Sequence, residues 1–120
     1  MLNTTFQVTN NRLHRNSFVH TLHVENDYYK IKLHYSNDYE TDLKNKTLKS
    51  SDLLISCKLK QMTIPLTYFN GAIYVEDDMP VFRTADKIQE YQNQLEIAKQ
   101  SAIELQKIVD EYFPNIQTTK

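Results

Sequence analysis

The sequence contains very little glycine and cysteine, and these shortages exclude several classes of site. Gly71 is the only glycine in 120 residues. Gly-rich phosphate loops, dinucleotide-binding turns and nucleophile elbows each need glycines at several fixed positions, so none of them can be written here. Cys57 is the only cysteine, which rules out a disulfide framework and a zinc site built from several cysteines.

Long apolar runs are also missing. No stretch approaches the roughly 18 apolar residues that a bilayer-spanning helix needs, and residues 1–25 lack the apolar run of a signal peptide. We therefore expect a cytoplasmic protein without a membrane partner, folded as a single domain over residues 1–120. The formal charge is only −1, although residues 1–60 carry nine Lys and Arg against six Asp and Glu. Frequent Asn, Lys, Ile and Tyr favour a low-GC bacterium or its phage as the source.

The single glycine marks a β-hairpin. Asn70-Gly71 separates two β-rich runs, and Asn-Gly is the preferred pair for a tight type I′ turn. A two-residue turn pairs Phe69 with Ala72 and Leu66 with Val75. Pro65 then falls opposite Glu76, and because proline has no N–H we expect the ladder to stop there.

The same alternation predicts further strands upstream. Residues 18–25 and 28–35 flank Asn26-Asp27, and a two-residue loop there pairs Val24 with Tyr29. Residues 53–60 alternate in the same way, and folding them back on residues 63–69 places Cys57 opposite Leu66. The prediction is an antiparallel sheet of about five strands within residues 18–76, preceded by an N-terminal segment, residues 1–17. The polar connection, residues 36–52, contains either a short helix around Tyr39 and Leu43 or a binding loop.

The hydrophobic period changes after Pro80. Residues 84–113 carry an unbroken heptad stripe, which predicts one long amphipathic helix with Thr84 as its N-cap and a tail over residues 114–120. The stripe consists of Ile88, Tyr91, Leu95, Ala98, Ala102, Leu105, Val109 and Tyr112. The fold class is therefore α+β, with this helix packed on one face of the sheet.

The helix is the first candidate contact surface. The ordinary interpretation is that its stripe only covers the sheet. Its length, and the position of two isoleucines off the stripe, favour an additional contact with a partner protein or a second copy of the chain. The candidate contact residues are Ile97, Ile108, Ala98, Ala102, Tyr112 and Phe113 on the helix, and Tyr39 in the polar connection.

The sheet face away from the helix is the second candidate. Basic and aromatic residues alternate onto it, a combination that can stack the bases of single-stranded nucleic acid and follow its phosphates. The ordinary interpretation is a solvated face whose aromatics fill cross-strand pairs. The residues in question are Tyr28, Lys30, Lys32, His34, Lys58, Lys60 and Tyr74.

Catalytic and metal sites find no support in the spacing. His20 and His23 point to opposite faces of a strand, and the predicted register places His34 opposite Val19, on the order of 13 Å from His23. We expect no metal, no cofactor and no catalytic residue. The prediction is a small non-enzymatic adaptor or inhibitor, with a phage or mobile-element origin included, that binds a protein partner or itself through the helix and residues 36–52. The alternative is single-stranded nucleic-acid binding.

Overall fold

The computed structural model describes residues 4–14, 19–35, 48–49, 53–77, 81, 84–113 and 116–117. The elements in chain order are β1 (Gln7–His14), β2 (Val19–Glu25), β3 (Tyr29–Tyr35), β4 (Leu48–Lys49), β5 (Leu53–Leu59), β6 (Leu66–Phe69), β7 (Ala72–Val75), α1 (Ala85–Tyr112) and β8 (Ile116–Gln117). The main sheet is antiparallel and has the strand order β1-β2-β3-β5, while β6 and β7 form a separate two-stranded sheet.

The predicted α+β class is confirmed. The apolar side chains of the main sheet and of α1 form one core, which includes Leu22, Ile31 and Leu33 from the sheet and Leu105 and Val109 from the helix. Each strand contributes alternate residues to this core because its side chains point to opposite faces in turn. The helix therefore covers one face of the sheet, and on the other face no described element packs over the exposed residues Lys30, Lys32 and Lys58.

The long helix begins and ends within one residue of the predicted bounds. Thr84 is its N-cap, and the Thr84 hydroxyl accepts a hydrogen bond from the Lys87 N–H at 3.3 Å. At the other end the Phe113 N–H donates to the Val109 carbonyl. The buried stripe follows the prediction closely, except that Ser101 joins it and Tyr112 is exposed.

The Asn70-Gly71 hairpin has the predicted register. Phe69 pairs with Ala72 and Leu66 pairs with Val75. Both turn residues have positive φ, 51° for Asn70 and 89° for Gly71, as a type I′ turn requires. Beyond the strands the Glu76 N–H donates to the Pro65 carbonyl at 3.0 Å, which is the one bond that proline still permits at that pair.

The first hairpin turns at the predicted place, but the prediction of a two-residue loop is wrong. Val24 pairs with Ile31 and not with Tyr29, so the register is displaced by two residues. The cause is the Asn26 side chain, whose Oδ1 accepts hydrogen bonds from the Tyr28 and Tyr29 N–H groups, both at 2.8 Å. Because a side chain closes the loop, the loop is longer than predicted. The register is displaced by two residues, an even number, so each strand residue keeps its predicted face of the sheet.

The predicted neighbour of β5 is also wrong. The strand lies beside β3, with Ile31 opposite Cys57 and Leu33 opposite Ile55, and is not hydrogen-bonded as a ladder to β6. Gln61-Met62 cannot form the tight turn that the predicted pairing needs, since neither residue favours positive φ. Residues 60–65 instead form a loop that buries Met62 and Ile64.

Two segments bring further differences. The predicted N-terminal segment, residues 1–17, contains the edge strand β1, which pairs with β2 through a bulge between Val8 and Asn10. Most of the polar connection, including Tyr39 and Leu43, lies outside the described residues. Its described part, β4, pairs in parallel with β8 in the predicted tail, Leu48 with Ile116.

Candidate functional site

The helix residues predicted to contact a partner are mostly used by the chain itself. Ala98, Ala102 and Phe113 are buried in the core, and Ile97 and Ile108 are partly buried against it. Among the helical candidates only Tyr112 is exposed, at 38%. Tyr39 lies outside the described residues. The apolar stripe of the helix therefore packs mainly against the chain's own sheet, as the ordinary interpretation expects.

The open face of the main sheet carries the clearest concentration of charge. Lys30 and Lys32 of β3 and Lys58 of β5 are exposed there, and Lys30 lies directly opposite Lys58. His23 lies opposite Lys32 on the neighbouring strand, and His34 lies opposite Leu54. We call this surface the open face and define it as His23, Lys30, Lys32, His34, Leu54, Ser56 and Lys58.

None of the three lysines has an ion-pair partner among the described residues. The described ion pairs are Lys60–Glu25, Lys87–Glu90 and Lys107–Glu104. Like charges directly opposite each other in a sheet are destabilising, because their ammonium groups repel across one strand spacing. The described carboxylate on this side of the sheet is that of Glu25, which lies opposite Lys30 and forms its ion pair with Lys60. Lys30, Lys32 and Lys58 therefore form no ion pair of their own within the described parts of the chain.

Lys60 belongs to the fold and not to the open face. Its Nζ donates to Glu25 Oε2 at 3.2 Å and to the Asn26 carbonyl at 2.9 Å. These contacts tie the end of β5 to the loop of the first hairpin. Its ammonium group already has two acceptors, so Lys60 is a weaker candidate for an incoming anion than the other predicted lysines.

The predicted aromatic residues do not lie on the open face. Tyr28 is buried in the core, at the loop between β2 and β3. Tyr74 belongs to β7, in the separate two-stranded sheet, where it is 51% exposed. The described part of the open face thus carries lysines and the imidazole rings of His23 and His34, but neither of the predicted tyrosines.

An exposed leucine accompanies the lysines instead. Leu54 is 60% exposed, and it lines a shallow depression of about 260 Å³ together with Lys32, His34, Ile55 and Ser56. The His34 ring is held in place by a 3.0 Å hydrogen bond between its Nδ1 and Thr21 Oγ1. The His34–Thr21 contact also corrects the predicted position of His34, which lies opposite Thr21 and not Val19. The register shift that places it there brings it nearer to His23.

The 66–75 hairpin carries the second exposed apolar feature. Phe69 is 70% exposed, and it shares the outer face of the hairpin with Tyr74. Glu76 follows on the same outer side by alternation and is also exposed. We call Phe69, Tyr74 and Glu76 the hairpin surface.

Residues with reactive chemistry are engaged in the core. Cys57 is a free thiol whose pKa is raised mainly by burial, which suppresses the thiolate. The Tyr29 hydroxyl donates to the Ile64 carbonyl at 2.6 Å, and burial raises its pKa far above the usual range. No group of three His, Cys, Asp or Glu side chains suited to a metal ion occurs in the described ranges.

Sequence reasoning missed Leu54 and Phe69 as candidate residues. Leu54 is the one apolar residue on the polar side of β5, which also presents Ser56 and Lys58. That exception to the alternation was the available signal. Phe69 borders the Asn-Gly turn, where an outward-facing aromatic residue has little of the chain left to cover it.

Comparison of the chain with protein-family models, with curated proteins and with solved structures found no match. Within the described part of the chain, no helix combines the length and the apolar character that crossing a bilayer demands.

Proposed function

We propose that this chain is a small non-enzymatic protein-interaction module, an adaptor or inhibitor, that binds its partner through the open face. One observation carries the proposal. Three exposed lysines, two of them directly opposed, share the open face with an exposed leucine and have no ion-pair partner among the described residues. An arrangement that costs stability in the free protein is explained if a partner supplies the missing negative charge.

The chemistry of the open face indicates the chemistry of the partner. Carboxylate groups would pair with Lys30, Lys32 and Lys58, and an apolar side chain would occupy the depression beside Leu54. Interfaces commonly combine a buried apolar anchor with a charged rim in this way. The partner is therefore an acidic protein surface with an apolar residue at the side that meets Leu54.

A protein partner fits the open face better than single-stranded nucleic acid does. Nonspecific binding of a single strand relies on aromatic rings that stack successive bases. Of the predicted aromatics, Tyr28 is buried and Tyr74 is on the separate hairpin. Without the two tyrosines, the described open face offers an apolar contact at Leu54 and only the small imidazole rings of His23 and His34 for stacking.

The proposal also includes the cellular location of the protein and its lack of enzymatic activity. We place the protein in the cytoplasm, where its single half-buried thiol is stable in the reduced form. We propose no catalytic role because the thiol and tyrosine groups described above are held in the core by burial and hydrogen bonds. Of the predicted contact segment, residues 36–52, the structure describes only β4, which pairs with β8.

The test is affinity capture from the source organism with matched variants. Wild-type protein, the double variant Lys30→Glu/Lys58→Glu, its charge-preserving counterpart Lys30→Arg/Lys58→Arg and Leu54→Ser are compared by quantitative mass spectrometry. Lys99→Glu serves as the control, since Lys99 is exposed on the helix. We expect a protein retained by the wild type, the arginine variant and the control to be lost from the other two. Equal retention by all five proteins contradicts the proposal.

Nucleic acid is the competing outcome, and it has its own readout. A fluorescently labelled single-stranded oligonucleotide is titrated at low and at moderate salt, and anisotropy is recorded. We expect no binding at moderate salt. Tight binding whose affinity falls steeply with salt, and which Lys30→Glu/Lys58→Glu removes, would replace the protein partner by nucleic acid.

A further inference from the structure

The hairpin surface has the chemistry that the open face lacks. Phe69 and Tyr74 present exposed aromatic rings, and Glu76 presents an exposed carboxylate. Residues 61–82, which include the whole hairpin, contain three acidic residues and no lysine or arginine. The hairpin surface is therefore acidic and aromatic, while the open face is basic and aliphatic.

From this complementarity we propose that the partner of the open face is a second copy of the chain, docked through its hairpin surface. The inference rests on the proposed function, since it names the occupant of the same open face. Glu76 of one copy would lie between the lysine ammonium groups of the other, and the rings of Phe69 and Tyr74 would contact Leu54. Lysine ammonium groups also bind to the faces of aromatic rings, which adds a cation–π contribution.

The hairpin surface is held in place before any contact forms. The Asn70-Gly71 turn sets the register, and the Gln106 side chain holds the outer edge of β7. Gln106 Oε1 accepts from the Ile73 N–H at 2.8 Å, and its Nε2 donates to the Gly71 carbonyl at 3.1 Å. A surface that is already ordered loses less conformational entropy on binding.

Within one copy the two surfaces do not satisfy each other. No ion pair joins Glu76 to Lys30, Lys32 or Lys58 among the described residues. Each copy thus offers both halves of the contact, the carboxylate and aromatic groups on its hairpin surface and the lysines and leucine on its open face. A reciprocal dimer uses both halves, and a head-to-tail arrangement continues into a ring or filament.

The test is sedimentation velocity of the full chain over a range of concentrations, at low and at moderate salt. We expect reversible self-association that weakens with salt. Lys58→Glu and Glu76→Lys should each raise the dissociation constant by about tenfold or more, because each places like charges in contact. An equimolar mixture of these two variants should associate again, because the reversed charges attract.

Two further variants separate the aromatic contribution from charge. Tyr74→Ser should weaken association and Tyr74→Phe should retain it, while Lys99→Glu should change nothing. Circular dichroism establishes that each variant keeps its fold. Failure of the mixture to associate, or association that Lys58→Glu leaves unchanged, overturns the inference.

The result also separates this inference from the proposed function. A strict monomer at every concentration, combined with a heterologous protein that the wild type captures and Lys30→Glu/Lys58→Glu loses, removes the second copy and keeps the open face as the binding surface. A strict monomer that captures nothing through the open face overturns both.

Discussion

At the scale of single residues, Asn26 has the largest structural role of any polar side chain in the described core. Its Oδ1 accepts from two backbone N–H groups in the first loop, and its Nδ2 donates to Ser101 Oγ at 3.0 Å and to the Thr4 carbonyl at 3.3 Å. One buried amide therefore connects the hairpin loop, the helix and the N-terminal segment. Ser101 is buried on the helix because it provides an acceptor for this amide.

Replacement of Asn26 should be costly. Asn26→Ala leaves two buried N–H groups without their acceptor, and we expect the free energy of unfolding to fall by about 3 kcal/mol. Urea denaturation measures the change. Asn93→Ala, at an exposed helical asparagine, is the matched control and should stay within about 0.5 kcal/mol of the wild type. A loss at Asn26 no larger than that of the control would show that the amide is not a structural link.

Cys57 should react slowly in the folded protein. Burial raises the pKa of its thiol, so less thiolate is present at a given pH than in the unfolded chain. Alkylation by iodoacetamide in native buffer should be at least about tenfold slower than in urea. Since the unfolded thiol loses its proton first, the free energy of unfolding should also fall slightly above about pH 8.5. Equal alkylation rates in the two states would contradict this account of the thiol.

Among the secondary-structure elements, those whose bounds depend on nearby residues, such as caps and tight turns, were predicted correctly. The helix bounds followed from the heptad stripe and the Thr84 cap, and the second hairpin followed from Asn70-Gly71. The first hairpin was misjudged because a side chain, Asn26, accepts the bonds that a backbone carbonyl accepts in a tight turn. Composition signals that a turn is present, but it does not show which oxygen closes it.

The neighbour of β5 could not be predicted from the sequence, because its pairing is between strands far apart in the chain. Both candidate partners, residues 29–35 and residues 63–69, offer apolar residues in the correct alternation. The connection before β5 is long and selects no neighbour, and the poor turn chemistry of Gln61-Met62 was the one local signal against residues 63–69. Core burial of Ile31 and Leu33 decides the pairing with β3.

The pairing of Lys30 with Lys58 predicts a gain in stability from a substitution at the binding surface. Lys58→Glu replaces repulsion across the strands by attraction, and we expect the free energy of unfolding to rise by about 0.5 kcal/mol. The same substitution should reduce partner binding. Thermal unfolding of Lys58→Glu and Lys58→Arg, compared with the wild type, measures the first effect.

The outcome for Lys58 distinguishes the two interpretations of the open face. A solvated face without function has no reason to keep opposed lysines when an opposite charge is more stable. If Lys58→Glu lowers stability, the repulsion between the two lysines is not a cost, and the main argument for a charged partner loses its support.

In the whole molecule, the two predicted contact surfaces differ in exposure, because the chain's own sheet covers one of them. The helix stripe was correctly predicted, yet the sheet covers most of it, including Ala98 and Ala102. Alternation placed the lysines of β3 and β5 correctly on the open face. It could not show that Tyr28 enters the core, since that depends on the lengthened loop at Asn26. It could not show either that Tyr74 belongs to a separate sheet.

The most direct test of the central claim is lysine footprinting of the complex formed by the open face. The protein is acetylated alone and in its complex, whether with a captured partner or with a second copy, and modification at each lysine is quantified by mass spectrometry. We expect Lys30, Lys32 and Lys58 to be protected in the complex, while Lys87, Lys99 and Lys107 on the helix react as in the free protein. Protection of the helical lysines with unchanged modification of the three on the open face would contradict the account.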